Sequence, residues 1–165
     1  MKEIFLSQLC GYWYFFEGEL VQAAVAVADR ATPVKKAGRV LLPLEDGENA
    51  EICPLNLLFP WAAQQSTKHD HYLLIRHGER LLALPMWGAG RLCMAAMDEV
   101  RPLPPAFTGL SRQVIPAVLA NGNEVFMQVN LNELVEMMDK IAYLRKKKLL
   151  QNRLTLGQKE AQHAN

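Results

Sequence analysis

Short apolar runs separated by turn-forming residues occupy most of the chain. Three pairs of runs are each joined by a polar turn, which is the pattern of a β-hairpin. The pairs are residues 39–44 with 50–58, 72–75 with 81–86, and 113–120 with 124–129, and their turns contain Asp46-Gly47, His77-Gly78 and Asn121-Gly122. Asn-Gly is the strongest short hairpin signal of the three. The pattern therefore predicts three hairpins.

Two further stretches read as strands. Residues 12–16 are all aromatic, which favours extended structure, and a Glu-Gly-Glu turn follows them. Residues 20–28 alternate apolar side chains with period 2, although their alanines would also suit a helix. Residues 91–97 form another candidate strand, which Gly88 and Gly90 interrupt on its N-terminal side.

Only the last segment has a clear helical period. Its stripe at i, i+3 and i+4 consists of Leu131, Leu134, Val135, Met138, Ile141 and Ala142. Asn130 is a suitable N-cap, with Glu133 three residues later. The basic run 145–148 suits the C-terminal end of a helix dipole. We predict a helix over about 131–155 that packs on the second barrel described below, a stop at Gly157 and a polar tail over 157–165.

Many short strands followed by one helix predict small β-barrels rather than alternating strands and helices. The chain has 165 residues, enough for one domain or two small subdomains. The polar stretch 64–70 is the best internal boundary. We therefore predict subdomains over about 12–62 and 70–130, with a single helical turn at 55–59.

The charge and the cysteine content argue against several classes of protein. With 18 basic and 17 acidic residues the net charge is +1, so broad electrostatic binding of nucleic acid or anionic membrane is not expected. Three cysteines without a Cys-x-x-Cys pair argue against a disulfide framework and favour a reducing cytoplasm. The longest uncharged apolar run, residues 4–16, is shorter than the roughly 18 residues of a membrane span. We expect a cytoplasmic protein with no membrane insertion.

One short string suggests an enzyme. Arg76-His77-Gly78-Glu79 resembles the signature of histidine phosphatases, in which the histidine accepts a phosphoryl group inside a cationic pocket. That family places the string at the start of an α/β domain with a second histidine downstream. Here the only later histidine is His163, and the chain runs directly into the apolar residues 81–84. The hairpin-turn interpretation is favoured, and the phosphatase remains the alternative.

A metal site is the other chemical candidate. His69 and His71 are spaced i, i+2, and Cys53 or Cys93 would complete a ligand set. The polar residues before His69 favour a solvated linker instead. The chain also lacks a Gly-rich phosphate loop and a Gly-x-Ser-x-Gly elbow. We therefore predict no catalytic residues, no metal and no cofactor.

The order of elements resembles a CheW-like domain, the coupling fold of bacterial chemotaxis. Its second half is matched by the hairpin at Gly78, the string Asp98-Glu99-Val100, the proline-bearing loop 102–105, the segment from Gly109-Leu110, and Asn130-Leu131 at the start of a helix. Its first half is matched by Thr32-Pro33-Val34 and by the hairpin that ends in residues 55–59. The family's Asn-Leu-Arg-Gly turn falls near residues 44–47, where Asp46 replaces the arginine and reverses its charge.

This resemblance implies a single domain over 1–156, built of two small SH3-like β-barrel subdomains and a C-terminal α-helix. It also implies a non-catalytic adaptor that couples a chemoreceptor or another partner to a chemotaxis-type histidine kinase. Contacts would be made through apolar strand edges and the groove between barrels, with Arg39, Leu41 and Asp46 as partner-binding residues. A structural protein that self-associates through its last helix is the further alternative.

Overall fold

A computed structural model of the chain describes residues 1–9, 11–54, 69–106 and 109–164. The strands are β1 (Lys2–Leu9), β2 (Tyr12–Glu17), β3 (Val21–Ala26), β4 (Val34–Lys36), β5 (Arg39–Pro43), β6 (Asn49–Ile52), β7 (His71–His77), β8 (Arg80–Ala95), β9 (Val100–Pro102), β10 (Ala117–Asn121) and β11 (Glu124–Gln128). The α-helices are α1 (Leu110–Val114) and α2 (Leu131–His163). The predicted fold class, mostly β with a C-terminal helix, is confirmed. The predicted helical turn at 55–59 and most of the stretch 64–70 lie outside the described residues.

The three predicted hairpins are confirmed as the antiparallel pairs β5–β6, β7–β8 and β10–β11. The third one starts later than expected, because α1 occupies residues 110–114. The apolar run 4–16 also contains a strand pair: β1 and β2 are antiparallel, with Phe5 opposite Phe16. We did not predict β1 as a separate strand, since an unbroken apolar run does not show where one strand ends.

Strand pairing divides the molecule into two lobes. Lobe A contains β1, β2, β9, β10, β11 and the second half of β8, and lobe B contains β3 to β7 and the first half of β8. Strands from one predicted subdomain range pair with strands from the other: β2 runs parallel to β11, and β3 pairs with β7. The chain therefore begins in lobe A, builds lobe B, and returns to lobe A along β8. The sheet does not close on itself, which is consistent with two SH3-like subdomains.

Strand β8 is the physical link between the lobes. Up to Met86 it pairs with β6 and β7, and from Trp87 to Ala95 it pairs with β1. Gly88 and Gly90, which we predicted to interrupt the strand, have φ angles of 70° and 69° and lie inside it at the change of partner. A side chain on Gly90 would also meet the Phe5 ring, since its Cβ would lie 2.5 Å from that ring. These glycines therefore let one strand turn from one lobe into the other.

Within the described part of the chain, this arrangement forms three apolar cores. Lobe A encloses a cluster that includes Ile4, Leu6 and Phe15, and lobe B encloses one that includes Leu42 and Leu74. A central core lies between the lobes and contains Phe5, Leu9, Tyr14, Phe16, Leu73, Ile75, Leu82, Leu84, Met86 and residues of α2. Neighbouring residues of β1, β2, β7 and β8 thus point into different cores. Burial on both faces explains why these strands read as continuous apolar runs rather than alternating ones.

Helix α2 closes the central core. Leu131, Leu134 and Met138 are buried there against residues of both lobes, so the helix does not pack on the second barrel alone as we expected. The side chain of Asn130 accepts hydrogen bonds from the backbone N–H groups of Asn132 and Glu133, which confirms the predicted N-cap.

The C-terminal end of α2 was predicted wrongly. The helix does not stop at Gly157 but runs to His163, so it spans 33 residues and about 50 Å. A glycine ends a helix by adopting a left-handed backbone. Gly157 does not have a positive φ, and its surroundings are open solvent. The predicted tail is therefore a continuation of the helix.

Candidate interaction surfaces

An ion network fastens α2 to lobe B. Arg39 Nη2 and Arg80 Nη1 both donate to Asp139 Oδ1 on the helix, each at 2.9 Å. The same two arginines donate to Glu51 on β6, at 2.5 and 2.6 Å. Partial burial raises the pKa of the Asp139 carboxyl, but the hydrogen bonds from Arg39 and Arg80 outweigh that effect and leave the pKa below its usual value. The carboxylate is thus held in its charged form by two guanidinium groups.

Arg39, the first of the predicted partner-binding residues, belongs to this network. Its guanidinium is already bonded to Glu51 and Asp139, so its observed role is to hold the helix. Leu41 is half-buried on the same strand, opposite Val34 on β4 and Glu51 on β6. A role of Arg39 and Leu41 in partner binding stays a prediction.

The turn between β4 and β5 touches the helix directly. Gly38 has a φ of 79°, and a Cβ atom on it would lie 2.3 Å from the backbone oxygen of Ala142. Only glycine allows this close approach, since any side chain would collide with the helix backbone. Together with the ion network, this contact holds α2 against lobe B at Asp139 and Ala142.

Asp46, the third predicted residue, lies in the exposed turn at the other end of the β5–β6 hairpin. Its carboxylate accepts a hydrogen bond from the backbone N–H of Glu48 at 2.9 Å, which stabilises the turn. Glu48 in turn forms a two-pronged pair with Arg76, at 2.5 and 2.9 Å. The hairpin therefore brings Arg39, Leu41 and Asp46 onto one element but places Asp46 far along it from Arg39.

His77 ends β7 and faces a cleft of about 280 Å³ at the start of α2. The cleft is lined by Phe15, Phe16, Glu17, Leu20, His77, Pro116 and residues 128–132. The two neighbouring arginines are bonded to carboxylates: Arg76 to Glu48, and Arg80 to Glu51 and Asp139. The mostly-β fold also differs from the α/β domain of histidine phosphatases. The chain therefore does not have the fold that the phosphatase alternative requires.

The candidate metal ligands have other roles. His71 Nδ1 lies 3.0 Å from Asp70 Oδ1, and the His69 ring packs edge-on against Tyr72. Burial raises the pKa of the Cys53 thiol, and the charge of Glu51 raises it further. Among the described residues, no group of three His, Cys, Asp or Glu side chains could hold a metal ion.

The second half of β8 carries an exposed apolar surface that was not predicted from the sequence. Trp87, Leu92 and Met94 on the second half of β8 are 50–57% exposed, and we call these three residues the apolar edge. The alternation of the strand sends Cys93 and Ala95 inward and Met94 outward. Leu92 lies opposite Phe5, which is buried in the central core. The apolar edge is therefore the solvent-exposed neighbour of that core.

The apolar edge also borders an open side of the sheet. Among the described strands, only β1 pairs with residues 91–95 of β8. The backbone N–H and C=O groups on the other side of such a strand are free to pair with an added strand. An open edge with apolar side chains is a typical surface for recognition of a partner.

None of the helices within the described residues is both long and apolar enough to cross a membrane.

Comparison with known proteins agrees with this geometry at the level of the fold. No family model matches the chain, and no curated protein matches it. The solved structure of the scaffolding protein TtCheW from Thermoanaerobacter tengcongensis is similar, with a TM-score of 0.65 and 14% identity. The match covers 81% of this chain and 86% of that chain. At this identity the likeness shows the fold alone: the chain is a divergent version of the CheW fold.

Proposed function

We propose that this protein is a non-catalytic adaptor in chemotaxis-type two-component signalling. It would couple a chemoreceptor, or another signal-receiving partner, to a histidine kinase in the cytoplasm. The observation that carries the proposal is the CheW fold, which extends over 81% of the chain and is shared with a protein described as a scaffold. Fold alone does not determine function, so the proposal also needs a surface suited to binding.

The apolar edge supplies such a surface. Leu92 and Met94 lie in the part of β8, residues 91–95, that pairs with β1 alone among the described strands, so a partner strand there would gain hydrogen bonds and apolar contact together. Burying exposed Leu and Met side chains contributes roughly 1.5–3 kcal/mol each when burial is complete. We propose that this edge is the main contact of the adaptor with one of its partners.

Binding to candidate partners tests the proposal. The chain is immobilised and offered the cytoplasmic part of a chemoreceptor and the regulatory part of a chemotaxis-type kinase encoded in the same genome. We expect saturable binding of at least one of them, and the double variant Leu92→Ser/Met94→Ser should weaken it at least about tenfold. Failure of both partners to bind the native chain would contradict the adaptor function.

A matched control distinguishes specific binding at the apolar edge from unspecific binding to exposed apolar side chains. Val125 on β11 is also apolar and exposed, but its strand lies inside lobe A between β10 and β2. Val125→Ser should therefore leave the affinity within about twofold. His77→Ala should do the same, because His77 plays no part in this contact. Equal losses from Val125→Ser and the double variant would remove the apolar edge from the interface.

Asp46 gives a second prediction about partner contact. We expect Asp46→Arg to weaken binding of the natural partner by about fivefold, since a charge that faces a complementary charge at an interface rim contributes roughly 1 kcal/mol. The protein should stay folded with a slightly lower thermal midpoint, because Asp46 is exposed but its carboxylate accepts a hydrogen bond from the backbone N–H of Glu48. Glu45→Arg makes the same charge change one residue earlier and serves as the control. An unchanged dissociation constant for Asp46→Arg would exclude Asp46 from the interface.

A further inference from the structure

Helix α2 extends far beyond the body of the protein. Its first part is buried in the central core as far as Ala142, whereas no described residue from Tyr143 to Ala164 is buried. The projecting part is about 30 Å long. It nevertheless carries large apolar side chains in water: Tyr143, Leu150 and Leu154 are 52–69% exposed.

These side chains recur with the seven- and four-residue spacing of coiled-coil core positions, and Lys147 and Gly157 occupy the two remaining positions of the same stripe. Tyr143 and Leu150 are seven residues apart, and Leu154 follows after four more. Ala161 continues the series after another seven, and we call Tyr143, Leu150, Leu154 and Ala161 the outer stripe. At 3.6 residues per turn, the outer stripe lies roughly 135° round the helix from the side buried in the central core. It therefore faces away from the body of its own chain.

The projecting helix also differs from the body in charge. Residues 143–164 contain six basic residues and one acidic residue, a net charge of +5. Because the whole chain carries +1, the rest of it carries −4. Lys146 and Arg153 lie beside the outer stripe, where a partner helix would place its flanking side chains. A partner with acidic flanking residues would be attracted, and a basic one repelled.

We propose that the outer stripe is a docking surface for an acidic α-helix of a partner protein, which joins α2 in a two-helix coiled coil. The apolar spacing supplies the seam, and the net charge selects the sign of the partner. This surface is separate from the apolar edge of β8, so the proposal does not depend on the adaptor function.

Two other occupants fit the helix less well. A second copy of this chain would bring two helices of +5 together, which costs electrostatic free energy along their whole length. An anionic membrane would favour leucines on one side only. Leu149 and Leu156, however, lie on the side that continues the buried face, while Leu150 and Leu154 lie on the outer stripe. Insertion of Leu150 and Leu154 into a membrane would leave Leu149 and Leu156 in water, and insertion of Leu149 and Leu156 would leave Leu150 and Leu154 in water.

The test uses a synthetic four-heptad helical peptide with leucine at the seam and glutamate at the flanking positions. Binding of the labelled peptide to the full chain is followed by fluorescence anisotropy. We expect saturable binding that weakens several-fold when sodium chloride rises from 50 to 500 mM, because salt screens the charge attraction. A matched peptide with lysine at the flanking positions should not bind.

Two double variants of equal composition locate the surface. Leu150→Gln/Leu154→Gln removes the outer stripe and should weaken peptide binding at least about tenfold. Leu149→Gln/Leu156→Gln removes the same two side-chain types from the other side and should change binding less than about twofold. Glutamine is a good helix former, so both variants should keep the helix, which circular dichroism verifies.

Three results would overturn the proposal. The first is equal weakening in both double variants, which would indicate unspecific apolar contact. The second is a dimer of the native chain in sedimentation that Leu150→Gln/Leu154→Gln dissolves, since a second copy would then occupy the stripe. The third is tighter association with vesicles of anionic phospholipid than with the acidic peptide, which would assign the helix to a membrane surface.

Discussion

Replacement of Gly38 by alanine should destabilise the protein by about 3 kcal/mol or more. The left-handed backbone at this residue costs a non-glycine side chain roughly 1–2 kcal/mol. In addition, the new Cβ would lie 2.3 Å from the backbone oxygen of Ala142, so α2 must move away from lobe B. That movement would also strain the ion network between Asp139 and the two arginines, Arg39 and Arg80. Urea unfolding of the native chain and Gly38→Ala measures the difference.

Gly47 provides the matched control for this prediction. It lies in the turn at the other end of the β5–β6 hairpin and also has a left-handed φ, 84°. A Cβ on Gly47 would meet nothing within 4 Å, so Gly47→Ala should show the backbone cost alone, roughly 1–2 kcal/mol. If Gly38→Ala and Gly47→Ala lost the same free energy of unfolding, the contact between the β4–β5 turn and the helix would be refuted.

Leu134→Ala should lower the free energy of unfolding by about 2–5 kcal/mol. The Leu134 side chain is fully buried in the central core, which contains residues of both lobes, and its removal would leave a cavity that the surrounding strands can only partly fill. Met138→Ala, at the next turn of the same buried face, should lose a similar amount. Thermal or urea unfolding with two-state analysis gives both values.

Leu144 lies on the same helix and makes the control. It is 61% exposed, and Leu144→Ala should change stability by no more than about 0.5 kcal/mol. A loss of several kcal/mol from Leu144→Ala would mean that the projecting part of α2 packs against the body. A loss below about 1 kcal/mol from Leu134→Ala would mean that the helix does not close the central core.

The central core and the ion network together explain how α2 can close the core with its first part and present the outer stripe to a partner with its second part. Its first part is fixed by apolar burial and by the pairing of Asp139 with arginines of β5 and β8. The part beyond Ala142 is thereby held at a defined angle to both lobes. A partner docked on the outer stripe would therefore be positioned relative to the apolar edge of β8.

The local elements could be predicted from the sequence. The turns at Asp46-Gly47 and Asn121-Gly122, the hairpins around them, and the start of α2 at Asn130 all depend on residues close together in the chain. Turn chemistry, capping and the helical period act over a few residues, so they can be read without a structure. The element order was also sufficient to predict the CheW-like fold.

The way in which these elements combine could not be predicted from the sequence. The pairing of β2 with β11 and the passage of β8 between the lobes involve residues far apart in sequence. The apolar edge could not be predicted either, because alternation along a strand does not show which of its two faces is exposed to solvent. Strands buried on both sides, such as β1 and β7, lose the period-2 signal that would identify an inner and an outer face. Likewise the ion pair of Arg39 could not be predicted, because its acceptor Asp139 is 100 residues away and only the fold brings the two charges together.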